Sequence, residues 1–92
     1  MTKEITKKQE DIEEFVEDIP SHKVILYNDD YNTFDWVIES LVDVCEHDPV
    51  QAEQCAVIVH FKGKANVKSG ELEDMQGICQ ALCDRDLSAV LE

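Results

Sequence analysis

The sequence predicts a mixed α and β (α+β) domain with the element order β-α-α-β-α-β. Three observations carry this reading. Segments at residues 23–27, 64–68 and 87–91 are apolar or alternate with the period of two that a strand imposes. The stretches between them repeat their apolar residues at the i, i+3, i+4 spacing of a helix face. A length of 92 residues, 43 % of them apolar, suits one small core, in which three helices can cover at least one face of a three-stranded sheet.

The N-terminal end is set apart from this pattern. Lys3, Lys7 and Lys8 are followed by an acidic run of Glu10, Asp11, Glu13, Glu14, Glu17 and Asp18, and the apolar residues between 12 and 16 are too few to order a helix by themselves. Pro20 and Ser21 then interrupt the chain. Residues 1–21 are read as a flexible extension and residues 22–92 as the domain.

The first strand ends abruptly at Asn28-Asp29-Asp30-Tyr31-Asn32-Thr33, a run of turn formers. Thr33 is placed to cap a helix, with Asp35 in its first turn favoured by the helix dipole. That helix is expected over residues 34–47. Phe34, Val37, Ile38, Leu41, Val44 and Cys45 form its apolar stripe, and Asp35, Glu39, Asp43 and Glu46 its wet face. Trp36 falls on the wet side, as a contact surface or as a cover for a loop. Asp48-Pro49 reads as a cap followed by proline at the first helical position. The second helix should run to about residue 61 with Ala52, Cys55, Ala56 and Val59 inward, and Gly63 should end it. After the strand at 64–68, Ser69 is the expected cap of a third helix with Glu71 and Glu73 near its start. Leu72, Met75, Ile78, Cys79 and Leu82 form its inner stripe, and Gly77 weakens it slightly.

Charge narrows the function. Acidic residues outnumber basic ones 21 to 8, a net charge of −13, which argues against nucleic acid and against anionic membrane surfaces and suits cationic ligands or basic partners. No apolar run approaches the roughly 20 residues of a membrane span. The first residues lack the apolar stretch of a secretory signal, so a cytoplasmic location and reduced thiols at Cys45, Cys55, Cys79 and Cys83 are expected. Cys79 and Cys83 share a helix face, but no tight C-x-x-C pair supports zinc, and all four cysteines fit as small buried hydrophobes. Numbering the 28–33 loop as a calcium loop puts Thr33 where glycine is needed and follows a strand instead of a helix, so calcium is not expected. No nucleotide or nucleophile-elbow motif occurs, and cysteines on inner stripes are poor nucleophiles for a dyad with His60. Neither an enzyme nor a cofactor is expected. The 28–33 loop, lying between a strand and a helix, is the candidate binding segment, with turn formation by its own polar side chains as the competing account.

Two separated segments carry a family resemblance. Val24 to Phe34, with Asn28-Asp29-Asp30-Tyr31-Asn32-Thr33 at its centre, resembles the strand and loop of the ClpS adaptors of Clp ATP-dependent proteases. Ala56-Val57-Ile58-Val59-His60-Phe61-Lys62-Gly63-Lys64-Ala65 resembles the second ClpS signature, and residues 87–92 its closing strand. The resemblance covers residues 22–92. It implies a three-stranded antiparallel sheet with three helices, a fold also found in the C-terminal domain of the ribosomal stalk protein. It further implies an adaptor that holds a free N-terminus beginning with a bulky hydrophobic residue (an N-degron) and delivers it to a Clp AAA+ unfoldase of the ClpA or ClpC type with ClpP. The expected adaptor is a monomer.

By position in the motifs, the resemblance assigns Asn28, Asp29 and His60 to the α-amino group, and Asn32, Phe34, Val37, Ala56, Val59 and Leu87 to an apolar pocket. The chemistry is coherent, because an α-amino group is mostly cationic near pH 7 and needs acceptors that a carboxylate, an amide oxygen and a neutral imidazole nitrogen supply. Two departures stand out. Asn32-Thr33-Phe34 replaces a common Thr-Pro-Met, and Ala56 stands where a larger Met is frequent, so one wall of the pocket grows while another shrinks. The third helix is shorter than in many relatives, and no unfoldase-docking residues are assigned to it. The alternative is a small interaction module of the same fold that binds through its surface and lacks such a pocket.

Overall fold

Strand β1 (His22–Tyr27) lies at the centre of the sheet, flanked on one side by β2 (Lys64–Gly70) and on the other by β3 (Ser88–Leu91), both antiparallel to it. Between them come α1 (Phe34–Cys45), α2 (Pro49–Lys62) and α3 (Leu72–Asp84), giving the expected order β-α-α-β-α-β. This computed structural model describes residues 21–92, so the expected extension, apart from Ser21, lies outside the described residues.

Alternation along β1 sends Val24 and Leu26 towards the helices, where they are fully buried. They meet Leu41 and Cys45 from α1, Ala52 and Val59 from α2, Met75 and Leu82 from α3, and Val67 from β2 in a single core. On the β3 side Leu26 pairs with Ala89 and Ile25 with Val90. On the β2 side Tyr27 pairs with Lys64, and the register shifts between Val24 and Ile25. That pairing aligns the C-terminal end of β1 with the start of β2, which directly follows α2. The loop after β1 and the end of α2 therefore meet at one edge of the domain.

Local chemistry fixes the helix ends. Thr33 Oγ1 accepts from the Trp36 backbone N–H, and Asp48 Oδ1 accepts from that of Gln51, as the capping pattern requires. Gly63 takes the left-handed conformation (φ +93°), and its N–H closes on Val59 O at 3.0 Å.

Several boundaries differ from the sequence expectation. α1 stops at Cys45, two residues early, because Glu46 turns left-handed (φ +62°) and returns its N–H to Leu41 O. His47, freed from the helix, is buried and places Nε2 2.8 Å from Val67 O on β2. A carbonyl only accepts, so this nitrogen carries the proton. Lys68 Nζ donates to Cys45 O at 3.0 Å, adding a cation at the negative end of α1. Ser69 does not cap α3. The β1–β2 ladder continues through the Lys23–Ser69 and His22–Gly70 pairs, the Ser69 hydroxyl oxygen accepts from Asn66 Nδ2, and α3 starts after Glu71, which makes no side-chain cap. β3 begins at Ser88, and the Leu87 N–H instead bonds to Leu82 O in the turn after α3. Trp36 takes the loop-covering role, its indole N–H donating to Arg85 O at 3.0 Å.

Candidate functional site

The loop between β1 and α1 is held by hydrogen bonds at almost every residue. The Asn28 N–H donates to Gly63 O at 2.9 Å, which ties the loop to the turn just beyond His60. Asp29 Oδ1 accepts from the backbone N–H groups of Tyr31 (2.8 Å) and Asn32 (2.7 Å), an Asx turn that folds the loop on itself. Asp29 Oδ2 accepts from Asn32 Nδ2 at 2.9 Å, and the same nitrogen donates to Asp86 O at 2.8 Å. Burial pushes the Asp29 carboxyl up, but the hydrogen bonds from the Asn32 backbone, the Asn32 side chain and the Tyr31 backbone outweigh it. The group therefore titrates below its ordinary 3.8.

This loop and α2 enclose a cavity of about 430 Å³ lined by Asn28, Asp29, Asp30, Asn32, Phe34, Val37, Ala56, Val59 and His60. Its size is that of a pocket for a small ligand or a single side chain. Its polar lining comes from Asn28, Asp29, Asp30 and Asn32 of the loop and from His60 near the end of α2. Its apolar lining comes from Phe34 and Val37 of α1 and from Ala56 and Val59 of α2. The His60 ring stands edge-on to the exposed Phe61 ring, with 4.8 Å between centroids and planes at 83°.

Eight of the nine residues named from sequence thus meet in one hollow. Leu87 does not. It is buried in the core and reaches only a smaller hollow of about 20 Å³ behind the cavity, shared with Leu26, Tyr27, Asn28, Asp29, Asn32, Val37 and Val59. Asp30 is a lining residue that the reading missed, although its place beside Asp29 was the available signal. The structure also changes the picture of two assigned residues. Asp29 spends three of its roughly four acceptor positions on the loop itself. Asn32, expected as part of the apolar wall, has both amide protons committed to Asp29 and Asp86.

Cys45 is buried and Cys55 and Cys79 are half-buried, as packing groups are, whereas Cys83, expected inside, is exposed with its thiol directed to Ala89 O at 3.4 Å. Burial pushes Cys45 up to about 11 against the pull of Lys68, with Cys55 adding to the rise. Burial likewise raises Cys55, and burial with neighbouring Cys83 raises Cys79. Among the described residues all four cysteines are unbridged, and no group of three or more His, Cys, Asp or Glu side chains is placed to hold a metal ion. Among the same residues no helix is long and apolar enough to cross a membrane.

The combination of a small α+β domain with a cavity lined by both acidic and apolar side chains defines a binding module more readily than a catalyst. Comparison with known proteins gives it a family. Residues 17–89 match the family described as "ATP-dependent Clp protease adaptor protein ClpS", and the chain belongs to that family. Among curated relatives, the ATP-dependent Clp protease adapter protein ClpS of Shewanella piezotolerans is 38 % identical over 63 residues, 68 % of this chain and 62 % of the relative. Its namesake in Acetivibrio thermocellus is 46 % identical over 46 residues, 50 % of this chain and 46 % of that one. The matches therefore span about half to three fifths of the relatives' length. Among solved structures, Agrobacterium tumefaciens ClpS2 bound to L-phenylalaninamide superposes with a TM-score of 0.73 at 23 % identity, covering 78 % of this chain and 94 % of that one, a likeness of fold.

Proposed function

We propose that this protein is an N-degron adaptor. It binds proteins whose free N-terminus begins with a bulky hydrophobic residue and passes them to a Clp AAA+ unfoldase of the ClpA or ClpC type working with ClpP. Asn28, Asp29 and His60 receive the α-ammonium group, joined by the charge of Asp30, and the first side chain enters between Phe34, Val37, Ala56 and Val59. The observation that carries the reading is the cavity itself, in which acidic and polar groups and apolar side chains line one hollow of about 430 Å³. The ligand in the solved ClpS2 structure, an amino-acid amide with a free amine and a benzyl side chain, has the two groups that such a hollow would sort.

Two terms of similar size act together. A hydrogen bond to a charged group contributes roughly 1.5–3 kcal/mol, and burying a large apolar side chain about 1.5–3 kcal/mol. Requiring both separates a bulky free N-terminus from a blocked one and from a small one. No covalent chemistry is assigned to the domain, which acts as a monomer in the cytoplasm.

The test is a panel of fluorescent peptides that differ only at residue 1 (Phe, Leu, Trp, Ala), each free or N-acetylated, read by anisotropy. Free Phe, Leu and Trp peptides should bind at least tenfold more tightly than their acetylated or Ala forms. Binding indifferent to residue 1 and to acetylation would overturn the reading in favour of a surface-binding module of the same fold.

A further inference from the structure

We propose that Asn32 is a positioning residue for the Asp29 carboxylate, not a wall of the apolar pocket, and that through it the turn after α3 sets how well the site holds an ammonium group. This rests on the N-degron reading above. The chemistry of its neighbours fixes the orientation of the Asn32 amide. Both the Asp29 carboxylate (2.9 Å) and the Asp86 carbonyl (2.8 Å) can only accept, so the atom facing both is the nitrogen, and each of its protons is taken. Asp29 Oδ1 is pinned by two backbone N–H groups, whereas among the described residues Oδ2 has Asn32 as its one protein partner. Oδ1 is thus a pivot, and Asn32 stops the carboxylate from turning about it.

The far anchor of this strut is itself rigid. Asp86 sits in the left-handed region (φ +70°), and the turn around it is closed by Arg85 N–H to Leu82 O, Asp86 N–H to Cys83 O and Leu87 N–H to Leu82 O. The carbonyl of Arg85 accepts from the Trp36 indole at 3.0 Å. Its guanidinium reaches Asp43 at 3.2 Å and lies 5.3 Å from the centre of the Trp36 ring. Trp36 belongs to the helix capped by Thr33, the residue after Asn32, so turn, helix and loop form a closed frame around the carboxylate. An acceptor already held in place loses less freedom when a cation arrives.

Asn32→Leu keeps the branched outline and heavy-atom count of the side chain and removes both donors. Affinity for a free Phe-initiated peptide should fall roughly tenfold, the size of one charge-assisted hydrogen bond. The advantage of the free over the acetylated peptide should shrink by the same factor, while the preference for Phe over Ala at residue 1 stays. A lost Phe-over-Ala preference with intact amine dependence would instead make Asn32 a pocket wall and overturn the proposal. Trp36→Phe keeps an aromatic cover without the indole N–H and should reduce the amine dependence about threefold; no reduction overturns the link to the turn, even if Asn32→Leu fails to fold. A readout without peptide separates this proposal from the function it rests on. Followed by carboxyl-carbon NMR, Asp29 should titrate at higher pH in Asn32→Leu than in the wild type, and an unmoved titration sinks the positioning role whatever the peptides do. Wild-type indifference to acetylation sinks the adaptor reading instead.

Discussion

The polar and the apolar linings of the cavity are built by different means. The polar lining comes mainly from a loop whose shape is set by hydrogen bonds within itself and to two distant turns, at Gly63 and at Asp86. The apolar lining is a seam between α1 and α2, whose shape comes from side-chain volume at Phe34, Val37, Ala56 and Val59. The polar lining should therefore fail all at once when the Asp29 carboxylate is lost, because in the proposed function the group that holds the loop also receives the ligand. The apolar lining should change gradually, trading one first residue for another.

Asp29→Ala tests the first half of this contrast and carries the largest expected effect. It removes the charge and three internal hydrogen bonds together, so affinity for a Phe- or Leu-initiated peptide should drop at least tenfold, for every first residue alike, as read by anisotropy. Ala56→Leu tests the second half. Three added carbons at a buried position narrow the seam and should weaken Trp- and Phe-initiated peptides several-fold while sparing smaller first residues. A uniform loss across the panel would show that the apolar lining is not independent.

Proton equilibria distinguish the two linings further. The ligand amine deprotonates above about pH 8, so affinity should decline from there upward while the apolar contribution persists. The Asp29 carboxyl titrates below its unfolded value, so its contribution to folding is complete above about pH 4 and is lost as the pH falls through its lower folded value. Urea midpoints measured from about pH 5 to pH 2.5 should fall less in Asp29→Asn than in the wild type. The smallest effect lies away from the cavity. Glu46→Gly relieves a left-handed non-glycine residue and should raise stability by roughly 0.5 kcal/mol without altering peptide affinity.

The features legible in the sequence are those with strong local signals. Apolar spacing located all three helices, and Thr33 marked the start of α1 and Asp48 and Gly63 the two ends of α2 because capping is a short-range interaction. Less legible were features decided by distant partners. Ser69 has the chemistry of a cap, but the ladder with β1 claims its backbone and Asn66 its hydroxyl. His47 looks like the last helical residue until β2 offers a carbonyl. The loop disclosed its polarity, and the family resemblance supplied its partners at His60 and α2. That Asn32 faces Asp86, 54 residues away, leaves no trace in spacing.

The order of strands in the sheet has a consequence for behaviour in concentrated solution. With β1 central, the backbone edges of the sheet among the described residues belong to β2 and β3. One offers only four residues. The other carries Lys64 and Lys68 and an offset in its pairing. Neither is a long, flat template on which a second molecule could zip, and a chain bearing thirteen excess negative charges also repels its copies at a distance. In the proposed role, which would bring it repeatedly beside unfolding, aggregation-prone polypeptides, these edges and this charge would make it a poor seed for their association.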